Sequence, residues 1–136
     1  LGEVGKIASG GERSRIFLGL SVLLRKGINQ SLQLFDEIDA GLGMDNAVPV
    51  AELLARLSRD GQVVCITHLP TVAARGDHHL KVEKSVVGER TVLKVVSVPG
   101  EARVKEIARL LGGDKSSVEG GADQQVAYAR QLLGHG

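Results

Sequence analysis

A chain of 136 residues, 43% hydrophobic and 24% charged, has the length and balance of one globular domain with one core. Its net charge of +1 excludes a global field drawing it to nucleic acid or an anionic membrane, and no apolar run is long enough to span a bilayer. A single cysteine, Cys65, excludes an internal disulfide framework and fits a reducing compartment, and 2% aromatic content leaves the core to Leu, Val, Ile and Ala.

The chain opens mid-pattern at Leu1 without an initiating Met and reads as a fragment. Its first helix is marked by Ala8-Ser9-Gly10-Gly11-Glu12-Arg13-Ser14-Arg15. Ser9 and Glu12 have the spacing of a capping box, which predicts a helix start there. Such a start aims free backbone N–H groups and a positive dipole end forward, and two glycines let an anion come close to the backbone. An ordinary capped helix after a flexible loop uses the same residues, so this stretch by itself leaves both readings open. Ile16, Leu20, Leu23 and Leu24, broadened by Phe17, recur on one face, with Gly27 as the expected stop.

Leu32 to Phe35 predicts a buried strand that ends in Asp36-Glu37, with Gln33 as a polar interruption. A loop over Ala40-Gly41-Leu42-Gly43 leads to a second helix capped by Asp45 or Asn46. That helix takes Pro49 in its first turn and buries Val50, Leu53, Leu54 and Leu57. Gln62 to Ile66 is apolar and β-branched, as in a parallel strand covered on both faces. Thr67-His68-Leu69-Pro70 leaves that strand, and a short helix runs through Thr71 to Ala74.

From His79 the hydrophobic period becomes two. Strands around Leu80 and Val82 and over Thr91 to Val98 form an antiparallel hairpin that turns at Val87-Gly88-Glu89. Val104, Ile107, Ala108 and Leu111 predict a helix stopped by Gly112-Gly113. Ser116 and Glu119 offer a second capping box, and Val126, Ala129 and Leu133 line a last helix. Alternating strands and helices followed by a hairpin argue for an α/β layered domain around a parallel sheet.

Asp36-Glu37 and His68 lie just past the carboxyl ends of the two predicted parallel strands. Open α/β sheets bind ligands at that edge. One carboxylate can hold Mg²⁺ through its water shell, the other can orient or deprotonate an attacking water, and a histidine can contact a phosphoryl oxygen. A solvated strand end and a capping or core histidine account for the same residues without chemistry. Cys65, His68, His78 and His79 have the composition of a zinc set, but Cys65 inside an apolar strand reads as a small buried hydrophobe. Arg13, Arg15, Arg25 and Lys26 form a basic run that reads as a solvated face or one paired with another lobe before it reads as a phosphate contact.

Ile7 to Glu12 resembles the signature motif of ABC-type ATPases, Leu32 to Glu37 their Walker B strand, Ile38 to Gly43 their D-loop, and Thr67-His68 their H-loop. More narrowly, Ile7 to Arg15, Phe35 to Gly41, Thr67 to Ala74, Asp77-His78-His79 and Arg103 to Gly113 are similar to the RecN family of bacterial SMC-like DNA-repair ATPases. The resemblance implies the α/β fold of a layered P-loop NTPase head of the ABC/SMC kind, with residues 1–136 forming its carboxyl-terminal lobe. It implies that Ser9, Gly10 and Gly11, with Glu12 behind them, face the γ-phosphate of ATP held on an opposing head. It further implies that Asp36 supports Mg²⁺ through water, Glu37 polarises the attacking water and His68 reaches the γ-phosphate. Asp39 and the loop to Gly43 would couple two sites across a dimer. Many ABC proteins have Asp where this chain has Gly43, so a contact by that carboxylate is not implied.

A P-loop needs Gly-x-x-x-x-Gly-Lys-Ser/Thr, and Gly2-Glu3-Val4-Gly5-Lys6-Ile7 has the wrong spacing and no hydroxyl after the lysine. The resemblance puts the P-loop in an amino-terminal lobe beyond a long coiled coil, so this chain alone is expected not to hydrolyse ATP. The implied partners are that lobe, a second head in a homodimer, and DNA through the full-length protein, with no membrane. The implied setting is double-strand-break repair in the cytoplasm at the nucleoid. Two other readings stay open: a head of another ABC-type ATPase (RecF-like, SMC-like or a transporter), and a non-catalytic docking module in which Glu37 is dispensable.

Overall fold

The computed structural model describes residues 9–24, 32–88, 90–112 and 121–134. The chain divides into two compact units, Leu1–Arg75 and Gly76–Gly136, where length by itself suggests one core.

In the first unit, α1 (Gly10–Leu23) opens on the expected capping box. Glu12 N donates to Ser9 Oγ at 3.3 Å and Ser9 N donates to Glu12 Oε2 at 2.7 Å. Strands β1 (Gln33–Phe35) and β2 (Val63–Cys65) are parallel neighbours, with Gln33 opposite Val63 and Phe35 opposite Cys65. Parallel strands need a crossover, and α2 (Met44–Leu57) supplies it. The short α3 (Pro70–Ala74) follows β2, with Pro70 at the first position, where its missing N–H costs nothing. The core joins Leu18, Phe35, Ile38, Leu69 and Val72 to the α2 stripe of Ala47, Val50, Ala51, Leu54 and Leu57. Each buried Leu, Ile, Val or Phe contributes about 1.5–3 kcal/mol, so the α2 stripe is the main adhesive of this unit.

Three local expectations are corrected here. Helix α1 turns its other face inward: Ile16, Phe17, Leu20, Leu23 and Leu24 are exposed, while Gly11, Leu18 and Ser21 are buried. Periodicity defines faces without ranking them, and close approach to the loop at 36–40 needs the small side chains that the Gly11 and Ser14 face provides. Helix α2 starts at Met44 after Gly43, with no side-chain cap, so neither Asp45 nor Asn46 caps it. Pro49 therefore sits in the second turn and offers no N–H to the Asp45 carbonyl. The β1–β2 pair is covered on one face only among the described residues, since Leu34, Val64 and Ile66 are exposed on the other.

In the second unit, β3 (Leu80–Val87) and β4 (Arg90–Ser97) form the expected antiparallel hairpin, with Gly88 at φ +63° in the turn. Helices α4 (Gly100–Leu110) and α5 (Gly121–Gly134) pack together and bury Val104, Ile107, Ala108 and Ala129. Gly112, at φ +104°, follows α4. Gly27, Gly113, the Ser116 and Glu119 pair, Arg25, Lys26 and the stretch 2–7 lie outside the described residues. No helix among the described residues is long and apolar enough to cross a membrane.

Glu106 is buried in this unit between Lys81 Nζ at 3.1 Å and Arg109 Nη2 at 2.6 Å. Burial pushes its carboxyl up, but Arg109 and Lys81 outweigh burial and hold it below the ordinary value of 4.5. A carboxyl depressed in the folded state stabilises the fold above its unfolded value and loses that contribution as pH falls through the folded one. Acid unfolding followed by circular dichroism is therefore expected to steepen below about pH 4.5. Glu106→Gln is expected to lower neutral stability by about 1–3 kcal/mol and to flatten that acid limb.

Candidate functional site

Ile66 N donates to Phe35 O at 2.9 Å and closes the parallel pair. Beyond it both strands leave at the same edge, so Asp36 and Glu37 after β1 share that edge with Thr67 and His68 after β2. This is the juxtaposition expected from two parallel strands. Ile38 is fully buried and anchors the loop between Asp36 and Gly41. Ala40 N donates to Glu37 O at 3.0 Å, and Glu37 N donates to Asp36 Oδ1 at 2.9 Å. These bonds hold Glu37 at φ +55°, a left-handed conformation that costs a side-chain-bearing residue about 1 kcal/mol or more. Both carboxylates, Asp36 and Glu37, are exposed.

Asp39 points inward and is 2% exposed. Its Oδ2 accepts from the Thr67 hydroxyl, from His68 N at 2.9 Å and from Leu69 N at 3.3 Å. It also lies 3.1 Å from His68 Nδ1. Burial pushes the Asp39 carboxyl up, but the Thr67 hydroxyl and His68 N–H outweigh burial and leave it below its ordinary 3.8. Asp39 is thus a carboxylate at neutral pH. The 3.1 Å approach to Nδ1 sets the imidazole beside this carboxylate, and the side chain is 71% exposed. Within the chain, Asp39 therefore joins the D-loop-like turn to the H-loop-like one.

Helix α1 abuts the same loop. A methyl group on Gly10 would lie 2.5 Å from Glu37 Oε2. One on Gly11 would lie 2.8 Å from Glu37 O and 2.9 Å from both Ala40 Cβ and Ala40 O. Ser14 Oγ donates to Asp36 O at 2.9 Å, and Arg15 Nη1 donates to Ile38 O at 3.1 Å and Ala40 O at 3.0 Å. Ser9 and Glu12 are exposed, Gly10 is half-buried and Gly11 is buried. The glycine pair thus has an in-chain reason to be glycine beside the anion-approach reading. The sequence alone gives Ser14 and Thr67 a place in their motifs but no role of their own, and puts Arg15 in a basic run. The available signal was that Gly11, Ser14 and Arg15 share the α1 face opposite the apolar stripe.

The remaining candidate cluster lacks a reactive thiol. Burial, then the negative charges of Asp39 and Asp36, push the Cys65 thiol up to about 12. His78 and His79 belong to the second unit, where burial and then the Arg103 charge lower the His79 pKa. No group of three or more His, Cys, Asp and Glu residues suited to a metal is found among the described residues. A Mg²⁺ that keeps its waters needs only one or two carboxylates. Asp36 fits that role, being exposed with one oxygen taken by Glu37 N–H.

The chain is 44% identical over 133 residues to the DNA repair protein RecN of Deinococcus radiodurans and 45% over 130 residues to that of Treponema pallidum. It is 37% identical over 133 residues to RecN of Vibrio cholerae. These alignments take in 96–98% of this chain but only 22–23% of each relative, so the chain spans about a fifth of their length. No protein-family model matches it. A solved structure, described as concerning ATP-driven dimerization and DNA-stimulated activation of SMC ATPases, is 30% identical with a TM-score of 0.56. That alignment covers 78% of this chain and 63% of the other. Along nearly its whole length the chain is therefore similar to about a fifth of RecN, and it shares its α/β fold with an SMC ATPase.

Proposed function

We propose that this chain is the carboxyl-terminal lobe of a RecN-like ATPase head and supplies half of a composite ATP site. The observation that carries the reading is the shared edge after β1 and β2, where Glu37 and the Asp39-fixed His68 are juxtaposed and the α1 start abuts the same loop.

In this reading water attacks the γ-phosphorus, the bond to the bridging oxygen breaks, and ADP leaves. Glu37 accepts the water proton. The Asp39-held imidazole of His68 presents Nε2 to a phosphoryl oxygen. Asp36 would hold a hydrated Mg²⁺, which neutralises phosphate charge when bound. The P-loop comes from an amino-terminal lobe. Ser9, Gly10, Gly11 and Glu12 face nucleotide on a second head, so two heads enclose it and hydrolysis releases them. The relatives are named DNA repair proteins, which supports a role in DNA repair; the role proposed is double-strand-break repair on DNA, in the cytoplasm at the nucleoid.

The test compares the 136-residue chain with the full-length protein for ATP binding, hydrolysis and ATP-dependent change in mass, all with Mg²⁺. The full-length protein is expected to bind ATP, hydrolyse it and pair its heads, and the shorter chain to do none of these. Measurable Mg²⁺-dependent hydrolysis by the shorter chain would overturn the shared-site reading.

A further inference from the structure

We propose that Arg15 is a positioning residue that makes the α1 start and the water-activating loop move as one body. The inference rests on the ATPase reading above and concerns a residue that this reading does not use.

One turn of α1 takes up three alternate carbonyls of the loop. Ser14 Oγ holds that of Asp36, and Arg15 Nη1 holds those of Ile38 and Ala40. The bonds from Arg15 are charge-assisted, roughly twice as strong as neutral ones, and come from a half-buried guanidinium. Asp39 lies between the two carbonyls that Arg15 holds, and Glu37 lies between one of them and the carbonyl that Ser14 holds, so Arg15 fixes the peptide units around Asp39 and the one that follows Glu37. Gly10 and Gly11 stop α1 from moving closer, because the Glu37 carboxylate and the Ala40 backbone already stand against them. Arg15 stops it from moving away. On its other side the loop is tied through Asp39 to Thr67, His68 and Leu69. A ligand contact that shifts Ser9 and Gly10 is therefore felt at Glu37 and, through Asp39, at the imidazole.

In the full-length protein, Arg15→Ala is expected to lower kcat for ATP hydrolysis about ten- to hundred-fold while KM for ATP stays within about twofold. Arg15→Lys, which keeps a charged donor on a shorter reach, is expected to recover part of kcat. A melting temperature close to wild type in Arg15→Lys separates positioning from folding. An unchanged kcat for Arg15→Ala, in a protein whose Glu37→Gln variant is inactive, would overturn the positioning role and leave the ATPase reading standing. Equal losses in both Arg15 variants, with raised KM and lowered melting temperature, would reduce the residue to a structural brace and also overturn it. Hydrolysis that persists in Glu37→Gln would overturn the reading beneath, and this inference with it.

Discussion

Glu37→Gln in the full-length protein is expected to lower kcat for ATP hydrolysis by about a hundred-fold or more while ATP binding persists. General-base assistance by a placed side chain contributes roughly 10²–10⁴. The substitution removes the proton acceptor and almost nothing else. Gln has the same length, the backbone bonds Ala40 N to Glu37 O and Glu37 N to Asp36 Oδ1 do not involve the side chain, and the strained φ of +55° is carried equally by either residue. Phosphate release measured beside nucleotide-binding titration checks the prediction. Near-wild-type turnover would remove Glu37 from the chemistry and favour a docking role for this lobe. Loss of ATP binding would instead show that the variant had damaged the pocket.

The second large effect is expected at Gly11. The atoms that an added methyl would meet, Glu37 O, Ala40 Cβ and Ala40 O, are backbone or the first side-chain carbon, so none can rotate away. Gly11→Ala must therefore push α1 off the loop. Overpacking of this kind costs about 1–3 kcal/mol. The Ser14 hydrogen bond, if it opens with it, adds about 1 kcal/mol, and each charge-assisted bond from Arg15 about 1.5–3 kcal/mol. Melting temperature and ATPase activity are expected to fall together. Gly10→Ala makes an informative contrast. There the clash is with Glu37 Oε2, the far end of a flexible side chain, which can swing aside. Gly10→Ala is thus expected to keep most of the stability and to lose kcat, because the carboxylate no longer rests where the loop aims it. A Gly11→Ala protein as stable as wild type would show that the close packing of α1 on the loop is dispensable.

Much of the architecture was legible from residues close together in the chain. The capping box of Ser9 and Glu12, the apolar strand ending in Asp36-Glu37, the α2 stripe and the two-residue period of the hairpin are all local patterns, and all of them formed. The motif spacing that resembles an ATPase head was legible for the same reason. The inward face of α1 was not. The apolar stripe of Ile16, Phe17, Leu20, Leu23 and Leu24 is exposed, because close contact with the loop selects the face of Gly11 and Ser14, on which Leu18 alone of the large apolar residues is buried. The helix start after Gly43 was missed because Asp45 and Asn46 are good caps in isolation, while the chain's entry into α2 is set by the turn that precedes it.

Sequence by itself determined the order of the elements and the set of chemical groups at the candidate site: two carboxylates after one strand, an imidazole after the next, and a glycine-fronted helix. Only the tertiary structure decided which groups support which. Arg15 reaches carbonyls 23 and 25 residues away, and Asp39 turns inward to hold the backbone and ring of His68, 29 residues further on, where Asp36 and Glu37 face outward. Those partners meet because the parallel strands and the close packing of α1 bring three distant segments to one edge. Hydrogen-bond geometry of that range leaves no period or spacing in the chain to be read.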